Sequence, residues 1–290
     1  MNTLTRLGFP EGTKLLMIHA DDAGLCHSEN KATAEAIING SVNSCSLMPP
    51  CSGFEEMAQI LKANPHWDYG VHLTLTCEWK NYKWGPVLPA MEVPSLVNDA
   101  GHFYATRKDL KANAHIDDVR RELIAQIEKV YHYGLNPSHL DSHMYTVGVC
   151  KEFFDVYKEL GLRYKLPVQL SKQLIASSGS NPDELALWDD FYIDEIVLGK
   201  YSVFEQNKLS QYYGEALDSI QEGLTILLIH PAFDTQEMKD ITIDHPNFGS
   251  AWRQIDFDFF TSELCKRKIA ENNLTLITWR EIKNRLARKP

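Results

Sequence analysis

The sequence predicts an α/β fold, a parallel sheet covered by helices, and three observations carry that prediction. Short, nearly continuous apolar runs, the mark of strands buried on both faces, alternate with segments of helical period. The reactive polar residues fall in or just after those runs: Asp21-Asp22, His72, His139/Asp141/His143 and His230. In a (β/α) barrel the C-terminal strand ends form the active-site mouth, so residues far apart in sequence converge there. Finally, 290 residues, 44% of them hydrophobic, can bury a sizeable core. Length alone allows one barrel-type domain or two small ones. With no internal repeat, low-complexity tract or linker, one domain over 1–290 is expected.

Lys14–Ala20 (KLLMIHA) reads as the first buried strand, stopped by Asp21-Asp22-Ala23-Gly24. Ser28 is placed to cap a helix over Glu29–Asn39, with Ala32, Ala36 and Ile37 on its apolar face. Val42–Met48 reads as a strand running into Pro49-Pro50, Gly53–Ala63 as a helix, and Gly70–Thr76 alternates as a strand does. Trp79 to His102 is an irregular excursion rich in Pro, Gly and aromatics. Ile116–Tyr131 is strongly amphipathic, with Val119, Leu123, Ile127 and Val130 on one face. Ser138–Ser142 is a short strand, Lys151–Leu160 a helix ended by Gly161, and Arg163–Leu170 a candidate strand. Ser171–Gly199 carries no clear period. Leu209–Gln221 reads as helix, Leu224–Ile229 (LTILLI) as a buried strand and Leu274–Thr278 as the last one.

A formal charge of -10, unbroken by any Lys/Arg-rich run, argues against a nucleic-acid partner, because phosphate backbones would be poorly attracted. Uncharged or cationic small substrates suit it better. The six cysteines are scattered without a Cys-x-x-Cys pair and read as reduced core thiols. No stretch approaches the roughly 18 apolar residues of a membrane span. Met1 to Thr13 lacks the pattern of a signal peptide, so a cytoplasmic protein is expected.

Asp21 and Asp22 are adjacent carboxylates at a strand end, an arrangement in which one normally has a cation partner. On a regular strand they point in opposite directions and are free to take different tasks. A turn with an Asx cap is the competing reading. His72, in GVHLTLT, is alone in its strand and is also readable as a structural histidine. In His139-Leu140-Asp141-Ser142-His143, alternation puts two imidazoles and a carboxylate on one face if the strand persists. They can then cooperate around a metal, or form a hydrogen-bonded strand end. His230 closes LTILLI, where an imidazole can serve as general acid or merely as a cap.

In order, Ala-Asp-Asp-x-Gly, Gly-Val-His-Leu, His-Leu-Asp-Ser-His and His-Pro-Ala span Ala20 to Ala232. This set resembles the YdjC/ChbG family of carbohydrate deacetylases. The resemblance implies a distorted, TIM-barrel-like (β/α) barrel and one divalent metal, with Asp22, His72 and His143 as ligands, Asp21 as base and His230 as acid. It also implies an acetylated carbohydrate substrate, an N-acetylated mono- or oligosaccharide. Tyr145 stands where family members often have a further histidine, which is expected to alter substrate contacts and not metal binding.

Hard oxygen and imidazole ligands suit Zn²⁺, Mn²⁺, Co²⁺ or Mg²⁺ alike. Asp141 is expected to orient a ligand histidine, and Arg253 to be a solvated surface residue or a partner of Asp21 or Asp256. Trp79, Tyr82 and Trp84 are readable as a sugar-stacking segment, as a loop packing its own rings, or as a subunit interface, which leaves a homodimer open. Two rival functions remain at this stage: a metal-dependent phosphoesterase and a sugar-binding barrel without activity.

Overall fold

The computed structural model describes residues 2–180 and 192–287. Among them, seven strands form one parallel sheet: β1 (Lys14–Ala23), β2 (Ser44–Leu47), β3 (Tyr69–Leu73), β4 (Leu140–Ser142), β5 (Glu195–Leu198), β6 (Gly223–Ile229) and β7 (Thr275–Leu276). The order is β4-β3-β2-β1-β6-β5, with β7 pairing the first half of β1 while β2 pairs the second half. Asn43 spans that fork: its Oδ1 accepts from the Ile18 N–H and its Nδ2 donates to the Ile277 carbonyl.

The barrel closes irregularly. The segment after the helix Lys151–Tyr164 touches β4 through one bridge, Leu140 with Val168, and reaches the chain just before β5 through another, Ser171 with Ile193. This segment had the composition of a strand, but forms single bridges instead of a ladder. The distorted (β/α) barrel expected from the sequence is therefore present, with its seam here.

Period-two alternation sorts the side chains of β1. Leu16, Ile18 and Ala20 belong to the larger core under the outer helices, whereas Leu15 and Met17 join Leu224, Ile226 and Leu228 in a second cluster. Leu4 and Leu7 of the N-terminal helix and Trp279 and Ile282 of the last helix plug that second cluster. His19 and Asp21 continue this inward face of β1. The interior is thus apolar at its base and polar at its C-terminal mouth.

Several boundaries differ from those expected, each for a local reason. The helix His27–Asn39 starts at Cys26 without a side-chain cap; Ser28 Oγ instead donates to Glu237 Oε2. Gly161 does not end its helix, which runs to Tyr164; its bare Cα lets Val168 pack where a Cβ would lie 2.5 Å from Val168 Cγ1. Ile116–His132 buries Val119, Leu123, Ile127 and Val130 as the period requires. Of the unassigned stretch 171–199, residues 181–191 lie outside the described residues, and the remainder includes the helix Lys172–Ser177 and β5. All six cysteines are free. Among the described residues no helix is long and apolar enough to cross a membrane.

Candidate active site

Asp22 sits on a β-bulge. The β1–β2 register shifts between Ala20 and Ala23, and Asp22 has φ 64, a left-handed conformation rare for a side chain other than glycine. The bulge overturns the expectation that the two aspartates point apart, because it re-aims Asp22 into the cavity that Asp21 already faces. Asp22 Oδ1 lies 3.1 Å from His143 Nδ1 and 3.3 Å from His72 Nε2, while Oδ2 accepts from Arg253 Nη2 at 2.8 Å. Burial opposes its ionisation, but His143 and Arg253 outweigh burial and hold the carboxyl well below the usual range.

The register of β3 and β4 places His72 directly beside Asp141. Asp141 Oδ1 lies 2.9 Å from His72 Nδ1, which leaves Nε2 turned toward Asp22. His143 is the first residue beyond β4. The consecutive left-handed residues Met144 and Tyr145 (φ 51 each) turn the chain sharply after it, so the strand does not persist to this position. Its Nε2 lies 3.0 Å from Glu78 Oε2. Against burial, Glu78 and Asp22 raise His143 to about 9, and Asp141 and Asp21 raise His72 well above the usual imidazole value.

Asp22, His72 and His143 thus turn ligand-type atoms toward one point, all within 4.8 Å of one another. Each has its second polar atom held by another group, the arrangement that orients metal ligands. The overlapping sets built on Asp141 are poorer candidates, because both its oxygens are already engaged by His72 and His19. A site of two imidazoles and a carboxylate, ringed by further carboxylates, fits a divalent cation.

Asp21 and His230 face each other across the same cavity, 3.8 Å from Oδ2 to Nε2. Burial raises Asp21 to about 6. It lowers His230 to about 3, so near neutral pH the resting ring is neutral and must gain a proton before it can act as an acid. The His230 backbone N–H donates to Asp256 Oδ2, which fixes the end of β6, and Phe248 packs on the ring at 4.8 Å.

The cavity measures about 330 Å³, at the small end of the range for small-molecule sites. Asp21, Asp22, His72, Asp141, His143, His230, Trp79 and Arg253 all line it; His139 and Trp84 do not. His139 lies deeper, stacked on Trp279 at 4.8 Å and bonded through Nδ1 to Ser138 Oγ. Gly70 is required there, since a Cβ would fall 2.4 Å from the His139 ring. Arg253 is neither a surface residue nor bonded to Asp21 or Asp256. It is 1% exposed and pairs with Asp22 and Glu29, each at 2.8 Å.

The aromatic segment packs more than it displays. Trp84 is buried and donates its indole N–H to the Thr76 carbonyl, and Tyr82 donates to the Leu25 carbonyl. Trp79 forms part of the wall, 2% exposed, with the Arg253 guanidinium over its ring. Trp84→Phe is therefore expected to cost about 1–3 kcal/mol by stranding the Thr76 carbonyl. Urea unfolding should show that loss while KM stays unchanged.

Sequence reasoning missed His19, Glu29, Glu78, Arg107, Gln169 and His245. All of these but His19 and Glu29 line the cavity, as does Tyr145. Glu78 had one faint signal, an acid between the His72 strand and the irregular excursion that begins at Trp79. Glu29 had none, since an acid in a first helical turn is ordinary.

A family model described as YdjC-like protein matches residues 15–271. The chain is 30% identical to a protein of Thermus thermophilus named carbohydrate deacetylase, over 99% of this chain and 100% of that one. It is 29% identical to a protein of the same name from Geobacillus stearothermophilus, over 91% of this chain and 96% of that one. A solved structure from Enterococcus faecalis, named for cellobiose-phosphate cleavage, superposes with TM-score 0.77 at 26% identity, covering 93% of this chain and 99% of that chain. With most of its length matched in this way, the chain belongs to the YdjC-like family.

Proposed function

We propose that the protein is a metal-dependent hydrolase that removes N-acetyl groups from amino sugars or short oligosaccharides. The observation that carries this reading is the convergence of Asp22, His72 and His143 within 4.8 Å, on a cavity that also holds Asp21 and His230. The carbohydrate deacetylase names of its relatives support the substrate class. Asp22, His72 and His143 would hold one divalent ion, zinc, magnesium, manganese or cobalt. When bound, such an ion polarises a carbonyl and acidifies water.

The chain's own residues supply the proton traffic of an amide hydrolysis. Asp21, raised to about 6, is ionised near neutral pH yet basic enough to accept a proton. It takes that proton from the attacking water, whose oxygen bonds to the acetyl carbon. His230 rests neutral and must gain a proton before it can give one; Asp21 Oδ2, 3.8 Å from its Nε2, is placed to supply it. His230 then protonates the departing sugar nitrogen as the C–N bond breaks, giving acetate and a free amine. Asp141 holds His72 in the tautomer that leaves Nε2 free for the ion, and Arg253 does the same for the orientation of Asp22.

Acetate release from a panel of N-acetylated mono- and oligosaccharides tests the reading. Release that a chelator abolishes and a divalent ion restores is expected. A wild-type protein loaded with each of the four ions in turn and silent on the whole panel would refute it.

A second expectation concerns pH. Without an ion, His143 keeps its proton at pH 7, because its pKa of about 9 lies above it, and Asp141 and Asp21 favour a proton on His72 as well. An ion must displace those protons, so the Kd for metal should fall as pH rises toward about 9. Titration calorimetry in buffers of different ionisation enthalpy should show proton release on binding. Affinity independent of pH would contradict the ligand assignment.

A further inference from the structure

Residues 242–249 join the helices Gln236–Ile241 and Ser250–Thr261, and His245, Asn247 and Phe248 of this loop line the cavity. Bonds within the loop fix its shape. The His245 N–H donates to the Thr242 carbonyl, the Gly249 N–H to the Pro246 carbonyl and the Ser250 N–H to Thr242 Oγ1. A Cβ on Gly249 would lie 2.5 Å from the His245 carbonyl oxygen, so the turn closes tightly. Arg253 ties the loop to the site by donating from Nε to the Phe248 carbonyl at 2.7 Å. The backbone that carries His245 is therefore arranged before any ligand arrives, which lowers the cost of binding one.

The His245 ring meets Trp79 at 4.8 Å, close to edge-on, and its Nδ1 lies 2.9 Å from the Asn247 carbonyl oxygen. A carbonyl only accepts, so Nδ1 carries a hydrogen and Nε2 of the neutral ring keeps its lone pair. Nε2 has no partner among the described residues, yet it is not sealed off from solvent as His230 Nδ1 is. The carboxylates that share the cavity are committed elsewhere: Asp22 to Arg253, Asp141 to His72 and Glu78 to His143. We propose that His245 is a substrate-binding residue, whose Nε2 accepts a hydrogen bond from a sugar hydroxyl and so sets how the sugar lies in the cavity. The proposal rests on the deacetylase reading above and adds to it a side chain that neither holds the ion nor moves a proton.

His245→Asn keeps an N–H near the place of Nδ1 for the Asn247 carbonyl and leaves nothing at Nε2, whereas His245→Gln returns an amide oxygen near Nε2. In metal-loaded enzyme, His245→Asn should raise KM about 2–10-fold on the best substrate of the N-acetylated panel, the range for one hydrogen bond. Its kcat and metal content should stay at wild-type values, the pattern of a contact made equally in ground and transition states. His245→Gln should bring KM back toward wild type. Monodeoxy analogues of the same substrate supply a readout that a loosened loop would not move. One of them should cost the wild type a similar factor in KM, and His245→Asn should add nothing to that loss, because the bonded hydroxyl is already gone. Wild-type KM in His245→Asn would overturn the proposal, as would losses that multiply for every analogue, or a fall in kcat with KM unchanged. NMR of labelled histidine, at a pH where the ring is neutral, should show the Nδ1–H tautomer for His245. An Nε2–H tautomer would refute the assignment whatever the kinetics, and this measurement decides if His245→Asn does not fold. Failure of the deacetylase reading looks different, since then the wild type itself releases no acetate.

Discussion

Asp21→Asn is expected to lower acetate release by at least about 100-fold while leaving the bound metal in place. The amide preserves the shape of the side chain but cannot accept a proton from water. Its neighbours do not depend on its charge for their geometry: Asp22 is held by Arg253, and His72 by Asp141. The loss should appear in kcat, with little change in KM, because Asp21 is assigned to the chemistry and not to sugar binding. Turnover near the wild-type value would remove Asp21 from the mechanism.

Arg253→Met should destabilise the fold by about 3–5 kcal/mol, the effect of breaking a buried ion pair from one side. Arg253 joins β1 to the helix His27–Asn39 by pairing with Asp22 and Glu29, and its Nε donates to the Phe248 carbonyl. Methionine leaves Glu29 buried without its cation and takes from Asp22 the partner on Oδ2. Burial already raises Glu29 well above the ordinary value even with Arg253 present. A carboxyl whose folded pKa is raised stabilises the fold while protonated and loses that contribution as pH climbs. The penalty of Arg253→Met should therefore grow with pH and shrink in acid, and Glu29→Gln should partly relieve it. Urea unfolding at several pH values measures all three effects. An equal loss at every pH would place the stability elsewhere.

The strand ends were legible because parallel strands leave apolar runs and the reactive residues stand directly after them. Asp22, His72 and His143 stand in or just after such runs, but it was the resemblance to the family that singled them out as a ligand set; in the fold they do converge. What escaped was whatever depends on irregular backbone or on distant partners. The bulge at Asp22 breaks period two, and no residue type announces it. His19 was hidden in the run KLLMIHA, where its neighbours made it look like part of a buried strand. Arg253, in the amphipathic stretch WRQIDFD, looked solvated because nothing local reveals that Asp22 and Glu29 lie across from it. Trp84 looked available for stacking, but whether an aromatic faces a ligand or a carbonyl is settled only by tertiary packing.

Metal content measured against turnover in the two adjacent aspartate variants tests the assigned roles most directly. Asp22→Asn should lose the ion and regain part of its turnover in excess metal, as mass action requires. Asp21→Asn should keep the ion and regain nothing. Asp21→Asn purified without metal, beside Asp22→Asn that keeps it, would contradict the roles assigned here.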